Sequence, residues 1–421
     1  MRASDPMPCM AAPIPLRKRL ALALAGVLAL ASCGGGGPAE TPLRETAQAV
    51  VASSPPTPEP RIAIFPGRGE FRGMQHLRDI PLPELAAAAN DFNNRVAGIT
   101  PRYAVSTWRI DYLTVDGHGR QVVASGLAAL PIKPAGARSP VLSYQHGTIF
   151  KNAEAPTQAI SAAEPPIALA SLGYLVLAAD YVGYGASRGV QHPYLLSAPS
   201  AAVVIDFLTA ARLLRQALGT PSNGQLFMVG YSEGAYVTMA AHREMQASAS
   251  FHLPQVVASV GGGGPYDVGQ TLDQLLDRVR DQSPILGALI KPGFLGSLGS
   301  TIRNEVRRAL IAQIIPSDAD VSFQTTFLDN FLADDVGAIE RMSNVHDWKP
   351  EQPFRLFHGR EDQTVPYNVS VITLGAMRAR GTPPALISLT DCSTPPFDHL
   401  KCVPEFFRRS VDYLGVLARD L

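Results

Sequence analysis

Residues 226–239, Leu-Phe-Met-Val-Gly-Tyr-Ser-Glu-Gly-Ala-Tyr-Val-Thr-Met, leave the backbone few paths. The apolar run reads as a buried strand and the run after Gly234 as a helix. Gly230-Tyr231-Ser232-Glu233-Gly234 must turn one into the other. In such an elbow the serine takes a strained conformation, and the two glycines let strand and helix backbones approach without a Cβ clash. The hydroxyl of Ser232 is then lifted above the edge of a sheet. In a chain of 421 residues with 36 glycines, chance could supply the pentapeptide alone. The strand before it and the helix after it give it meaning.

The flanks set the fold class. Residues 108–115 and 121–130 alternate around an Asp116-Gly117-His118-Gly119 turn, as a hairpin does. Apolar strands are expected at 140–145, 174–179, 226–229, 256–260, 354–357 and 385–389. Helices are expected at 81–98, 160–172, 200–218, up to about 245 after the elbow, 366–380 and 403–417. Strands alternating with helices specify an α/β fold with a mostly parallel central sheet flanked by helices. Between about 265 and 345 the alternation stops, and helical pieces are broken by Pro284, Pro292, Gly296, Gly299 and Pro316. That stretch reads as a helical cap over the sheet's C-terminal edge.

Composition limits the partners. Lys+Arg and Asp+Glu balance at 36 each, which argues against a nucleic-acid partner. At the N-terminus, Arg17-Lys18-Arg19 precedes an apolar run, 20–31, that is too short to span a bilayer, which takes about 20 apolar residues. This is an export signal, with Met10 an alternative start. Leu30-Ala31-Ser32-Cys33 resembles the lipobox of bacterial lipoproteins, where the cysteine is lipidated and becomes the first mature residue; the other reading is an ordinary signal peptide cut near Ala-Ser-Cys. The expected organisation is a signal peptide over 1–32, a Pro- and Gly-rich tether over 33–60, and a folded domain over 61–421. The location is then the bacterial cell envelope, with the protein held to a membrane by its N-terminal lipid. Of four cysteines, Cys9 lies in or before the signal and Cys33 carries lipid. Cys392 and Cys402 are therefore expected to form a disulfide in an oxidising compartment. No metal-ligand spacing accompanies them, and no metal or organic cofactor is expected.

A serine hydroxyl becomes a nucleophile when a base takes its proton and a third group holds that base in one tautomer. Asp362 follows a short strand in His358-Gly359-Arg360-Glu361-Asp362 and precedes a helix. His399 follows the last strand and is the only histidine after Asp362. Cys392 and Cys402 bracket it. Ser232, Asp362 and His399 are thus the expected catalytic residues. Asp398 and Glu361 are rival acids, His358 a structural histidine and Asp180 a turn-former. Backbone N–H groups of Glu233 and Thr148, the latter in preference to Gly147, are expected to receive the developing oxyanion.

Tyr144-Gln145-His146-Gly147-Thr148, Asp180-Tyr181-Val182-Gly183-Tyr184-Gly185, His192-Pro193-Tyr194, the elbow at Ser232, Gly264-Pro265-Tyr266-Asp267 and His358-to-Asp362 together resemble the α/β-hydrolase superfamily. Within it they are similar to secretory lipases of the fungal lipase A type and related bacterial lipoprotein esterases. The resemblance spans most of residues 100–405. It implies serine carboxyl-ester hydrolysis (esterase or lipase) under a helical lid, with small-molecule or lipid esters as substrates and Ser232, Asp362 and His399 as triad. His192 and Tyr194 match without an obvious chemical role, and packing beneath the cap is expected of them. Two other readings stand beside this one. An exo-acting serine peptidase of the same fold would need a pocket that holds a peptide amine. A non-catalytic surface lipoprotein would not need the Ser, Asp, His order.

Overall fold

A computed structural model describes residues 67–91, 95, 97–282 and 293–421. The expected signal peptide, the lipidation site at Cys33 and the tether lie outside the described residues. Nine strands form one sheet: β1 (Phe71–Ile80), β2 (Val105–Val115), β3 (Gln121–Pro131), β4 (Ser139–Gln145), β5 (Leu175–Ala179), β6 (Ser222–Tyr231), β7 (Val256–Gly262), β8 (Phe354–His358) and β9 (Ile387–Asp391). Their order is β1-β2-β3-β5-β4-β6-β7-β8-β9. The first three strands form an antiparallel run that meets β5 antiparallel. From β5 onward every pairing is parallel.

Parallel strands are covered on both faces, so they read as continuous apolar runs. All residues of β4 and β5 are buried, and so is Leu226-Phe227-Met228-Val229 at the centre of β6. The covering helices are α1 (Leu82–Ala89), α2 (Pro165–Ala170), α3 (Ser197–Ala217), α4 (Glu233–Ala247), α9 (Tyr367–Ala379) and α10 (Val403–Leu417). Between β7 and β8 run α5 (Val268–Gln282), α6 (Ser300–Ile314), α7 (Thr326–Leu332) and α8 (Val336–Met342). This is the stretch where alternation fails in the sequence. Its segment at Ser322 to Gln324 docks on His192, whose N–H donates to Ser322 and whose carbonyl accepts from Gln324, at 2.8 Å each.

The elements differ from expectation mainly in length. α2 starts at Pro165 rather than near 160, because Pro165 and Pro166 are tolerated only in a first turn. α1 ends at Ala89, where Asn90 and Asp91 favour turns over helix. β1 is not legible from its residues, since its buried and exposed positions do not alternate cleanly. Pairing with β2 holds it in place.

Candidate functional site

The elbow is built as its glycines require. Ser232 has φ 59° and ψ −125°, in the region that ordinary residues avoid. Its N–H donates to the Gly262 carbonyl at 2.8 Å, which ties the turn to the end of β7. A Cβ on Gly230 would lie 2.1 Å from the Gly234 carbonyl oxygen, and one on Gly234 would lie 2.1 Å from that of Gln145. Those separations leave no room for a side chain, so both positions must be glycine for β4, β6 and α4 to converge behind Ser232.

Asp362 and His399 reach the same point from two later strand ends. His399 Nδ1–H donates to Asp362 Oδ2 at 2.6 Å, and Ser232 Oγ–H donates to His399 Nε2 at 2.9 Å. The other carboxylate oxygen of Asp362 accepts from the amides of Thr364 and Val365, at 2.8 and 2.9 Å. Burial alone would raise the pKa of Asp362. Hydrogen bonds from His358 and His399 outweigh that penalty and hold its carboxyl well below the ordinary carboxylate range.

His358 takes a larger part than a structural histidine at a strand end. It is fully buried, its Nε2 lies 3.2 Å from Asp362 Oδ2, and its Nδ1 lies 2.7 Å from Ser370 Oγ. Asp362 is therefore held between two imidazoles. The i, i+4 spacing in His358-Gly359-Arg360-Glu361-Asp362 was the signal available for this contact. The rivals go elsewhere. Asp398 Oδ1 accepts from the Lys401 amide at 2.7 Å and stabilises its own turn, while Glu361 is exposed. Asp180 is buried against Ser125 and Thr157, and burial raises its pKa.

The loop carrying His399 is stapled. Cys392 and Cys402 are disulfide-bonded with their Cα atoms 5.9 Å apart. Tyr231, just before Ser232, donates its hydroxyl to the His399 carbonyl at 2.7 Å. Gly359 lets the loop close on β8, because a Cβ there would meet the Phe397 carbonyl oxygen at 2.0 Å. Glu405, in the first turn of α10, accepts from Ser393 Oγ at 2.8 Å, Thr394 Oγ1 at 2.6 Å and Arg409 Nε at 2.7 Å. Burial opposes its ionisation, but these bonds lower its pKa to about 2.

Glu233 begins α4, so its amide is a first-turn donor without an intrahelical partner. Thr148 follows β4, and its amide makes no internal hydrogen bond among the described residues. Gly147 and Thr148 line the same cavity as Ser232, with a Cβ on Gly147 falling 3.6 Å from that of Ser232. The side chain of Glu233 is a feature sequence reasoning missed. Its Oε1 lies 2.7 Å from His192 Nε2, and both side chains are buried. His192 also stacks on Tyr181, with the rings 9° from parallel. His192 thus joins the excursion between β7 and β8 to the helix that follows Ser232. The partners are 41 residues apart, too far for any local pattern to connect them.

The cavity above Ser232 encloses about 730 Å³. Leu272, Leu275, Ile314 and Phe327 come to its wall from the excursion between β7 and β8, and Tyr194 comes from the loop before α3. Among the described residues no cluster of three or more His, Cys, Asp or Glu side chains has the arrangement of a metal site.

The strand order, the elbow after β6 and the helical excursion define an α/β-hydrolase fold. No protein-family model and no curated protein matches the chain. Solved structures do match. A Legionella pneumophila protein, whose description as a hydrolase is itself provisional, shares 25% identity at a TM-score of 0.65, over 82% of this chain and 97% of that one. The rice cell wall degrading esterase LipA from Xanthomonas oryzae shares 24% identity at a TM-score of 0.65, over 84% and 100%. Candida antarctica lipase A in its closed state shares 18% at a TM-score of 0.52, over 83% of each chain. The chain therefore has a fold found in esterases and lipases, as its sequence motifs suggest.

Proposed function

We propose that this protein is an envelope-anchored serine carboxyl-ester hydrolase acting through an acyl-enzyme. The observation that carries the reading is the series Ser232 Oγ, His399 and Asp362, at 2.9 and 2.6 Å, opening on a cavity with apolar walls. His399 Nε2 takes the Ser232 proton as Oγ attacks the ester carbonyl, and Asp362 keeps Nδ1 protonated and faces the imidazolium that forms. The tetrahedral oxygen rests on the amides of Glu233 and Thr148. Collapse breaks the bond to the alcohol, which leaves with the proton from His399. Water then attacks the acyl group, again with His399 as base, and the acid departs. The four helices between β7 and β8 act as the cap of this site.

Replacing Ser232 by Ala is the direct test. Hydrolysis of p-nitrophenyl esters is expected to fall by on the order of 10⁶ in kcat, and labelling by a serine-selective phosphonate is expected to vanish. Labelling that persists on the Ser232→Ala protein would overturn the assignment.

A further inference from the structure

The two amides proposed for the oxyanion stand on different elements, and the sheet alone does not fix their separation. Pairing between β4 and β6 runs to Gln145 and Gly230. Thr148 and Glu233 each lie beyond that last pair. Oxyanion donors work only over a narrow range, about 2.7–3.1 Å from the oxygen. Contacts past the ladder must therefore hold them in place.

His192-Pro193-Tyr194 takes no part in the proton transfers at Ser232, yet it reaches both donor residues. Tyr194 Oη lies 3.1 Å from Thr148 Oγ1. His192 Nε2 lies 2.7 Å from Glu233 Oε1, and the other carboxylate oxygen of Glu233 has no hydrogen-bond partner among the described residues. The segment is itself fixed. His192 Nδ1–H donates to the Val182 carbonyl at 2.9 Å, and the Tyr194 N–H donates back to the His192 carbonyl at 2.8 Å, closing a tight turn at Pro193. Phe323, from the excursion between β7 and β8, stands edge-on to both rings, with centroids 5.5 Å from His192 and 5.6 Å from Tyr194. His192 and Tyr194 are both buried. Polar groups shut away from water are costly unless their bonds are made, so each is committed to its partner.

We infer that His192 and Tyr194 are positioning residues for the oxyanion hole: His192, through the side chain of Glu233, and Tyr194, through that of Thr148, set the separation of the two amides. The inference rests on the ester-hydrolase reading of Ser232 and on the choice of those two amides. Loss of either tie lets one donor drift. That weakens a bond made in the transition state and leaves binding of the ester nearly untouched.

The test uses the full chain, with active sites counted by the serine-selective phosphonate. Tyr194→Phe is expected to lower kcat per active site on p-nitrophenyl butyrate by about tenfold, less than the loss of a whole donor, while KM stays within about twofold. The inhibition constant of butylboronic acid, whose adduct with Ser232 Oγ is a tetrahedral anion, is expected to rise about tenfold alongside. A fault of folding alone would reduce the number of active sites and move neither quantity. Thr148→Val breaks the same bond from its other end, so the double variant is expected to match the slower single variant within about twofold. His192→Leu leaves a carboxylate buried, so it is run beside His192→Leu combined with Glu233→Gln, which removes the charge and the tie together. Both are expected to show the losses of Tyr194→Phe, and His192→Gln, which keeps a donor, to recover most of them. Unchanged kcat and boronate inhibition in Tyr194→Phe or in the His192→Leu proteins would overturn the inference, as would additive losses in the Tyr194 and Thr148 cycle. So would a loss carried by KM with boronate inhibition unmoved, which would make Tyr194 only a wall of the cavity. A loss in Thr148→Val about tenfold greater than in Tyr194→Phe would put the Thr148 hydroxyl itself on the oxyanion and overturn it too. No ester hydrolysis and no phosphonate labelling in the parent chain would instead remove the reading on which it rests.

Discussion

Asp362 shows what one residue owes to its surroundings. A carboxylate shut away from water is costly, and two imidazole N–H groups and two backbone amides offset that cost. Removing His358 takes away one of the two imidazole bonds that depress its pKa. His358→Leu is expected to lower kcat/KM by about tenfold or more and to move the acid limb of its pH profile upward, because Asp362 must be ionised to hold His399. His358→Gln, which keeps a donor, is expected to recover most of the loss, so a pH profile identical in the two variants would refute the role. A depressed carboxylate stabilises the fold above its unfolded pKa, about 3.9 for Asp, and that stability is lost as pH falls through the folded value. The sequence made Ser232, Asp362 and His399 legible because each sits at a strand end beside a turn signature. It left the Glu233–His192 pair hidden, because nothing local in Ser232-Glu233-Gly234 says where a buried glutamate will find its partner.

At the scale of elements, the loop between β9 and α10 holds His399 against Ser232, which follows a different strand. The disulfide was legible by elimination among four cysteines, but the second fastening was not. Glu405 reads as an ordinary acidic first-turn residue, and only the fold brings Ser393 and Thr394 onto its carboxylate. With its pKa lowered to about 2, Glu405 contributes stability that is fully present above its unfolded pKa, about 4.3, and is lost as pH falls toward 2. Glu405→Gln is expected to be less stable than the parent at pH 7, with the gap closing between about pH 4.3 and 2. Urea melts of the two proteins across that range measure it, and a gap that stays constant with pH would show that Glu405 does not act through its charge. β1 was missed for a related reason. Its residues do not alternate, and only its ladder with β2 makes it a strand.

For the whole molecule, the question is where the self-sufficient domain begins. Composition puts the start near Arg61, and the first fastening among the described residues is close by. Arg68 Nε donates to Asp206 Oδ2 at 3.0 Å, and Thr114 Oγ1 donates to the same oxygen at 2.8 Å. Gly69 N–H donates to the Leu113 carbonyl, and the Leu113 N–H returns a bond to Glu70. Asp206 lies in α3 with its pKa raised by burial, so Arg68, although half exposed, answers a charge that the core would otherwise hold with Thr114 alone. A chain starting at Arg61 keeps all of these contacts, and the Pro- and Gly-rich composition before it is expected to add no core. It is therefore expected to match the full chain in thermal midpoint to within about a degree or two, and in kcat/KM on soluble esters. A chain starting at Pro81 loses β1 and Arg68, bares the edge of β2 and is expected to melt several degrees lower. If Cys33 carries lipid as proposed, that lipid should affect location alone. Cys33→Ser, expressed in a bacterial host and fed labelled palmitate, is expected to lose the label and leave the membrane fraction while its esterase activity per molecule stays the same. If activity on a soluble ester fell with the lipid, the N-terminal segment would be part of the catalytic unit and not a tether.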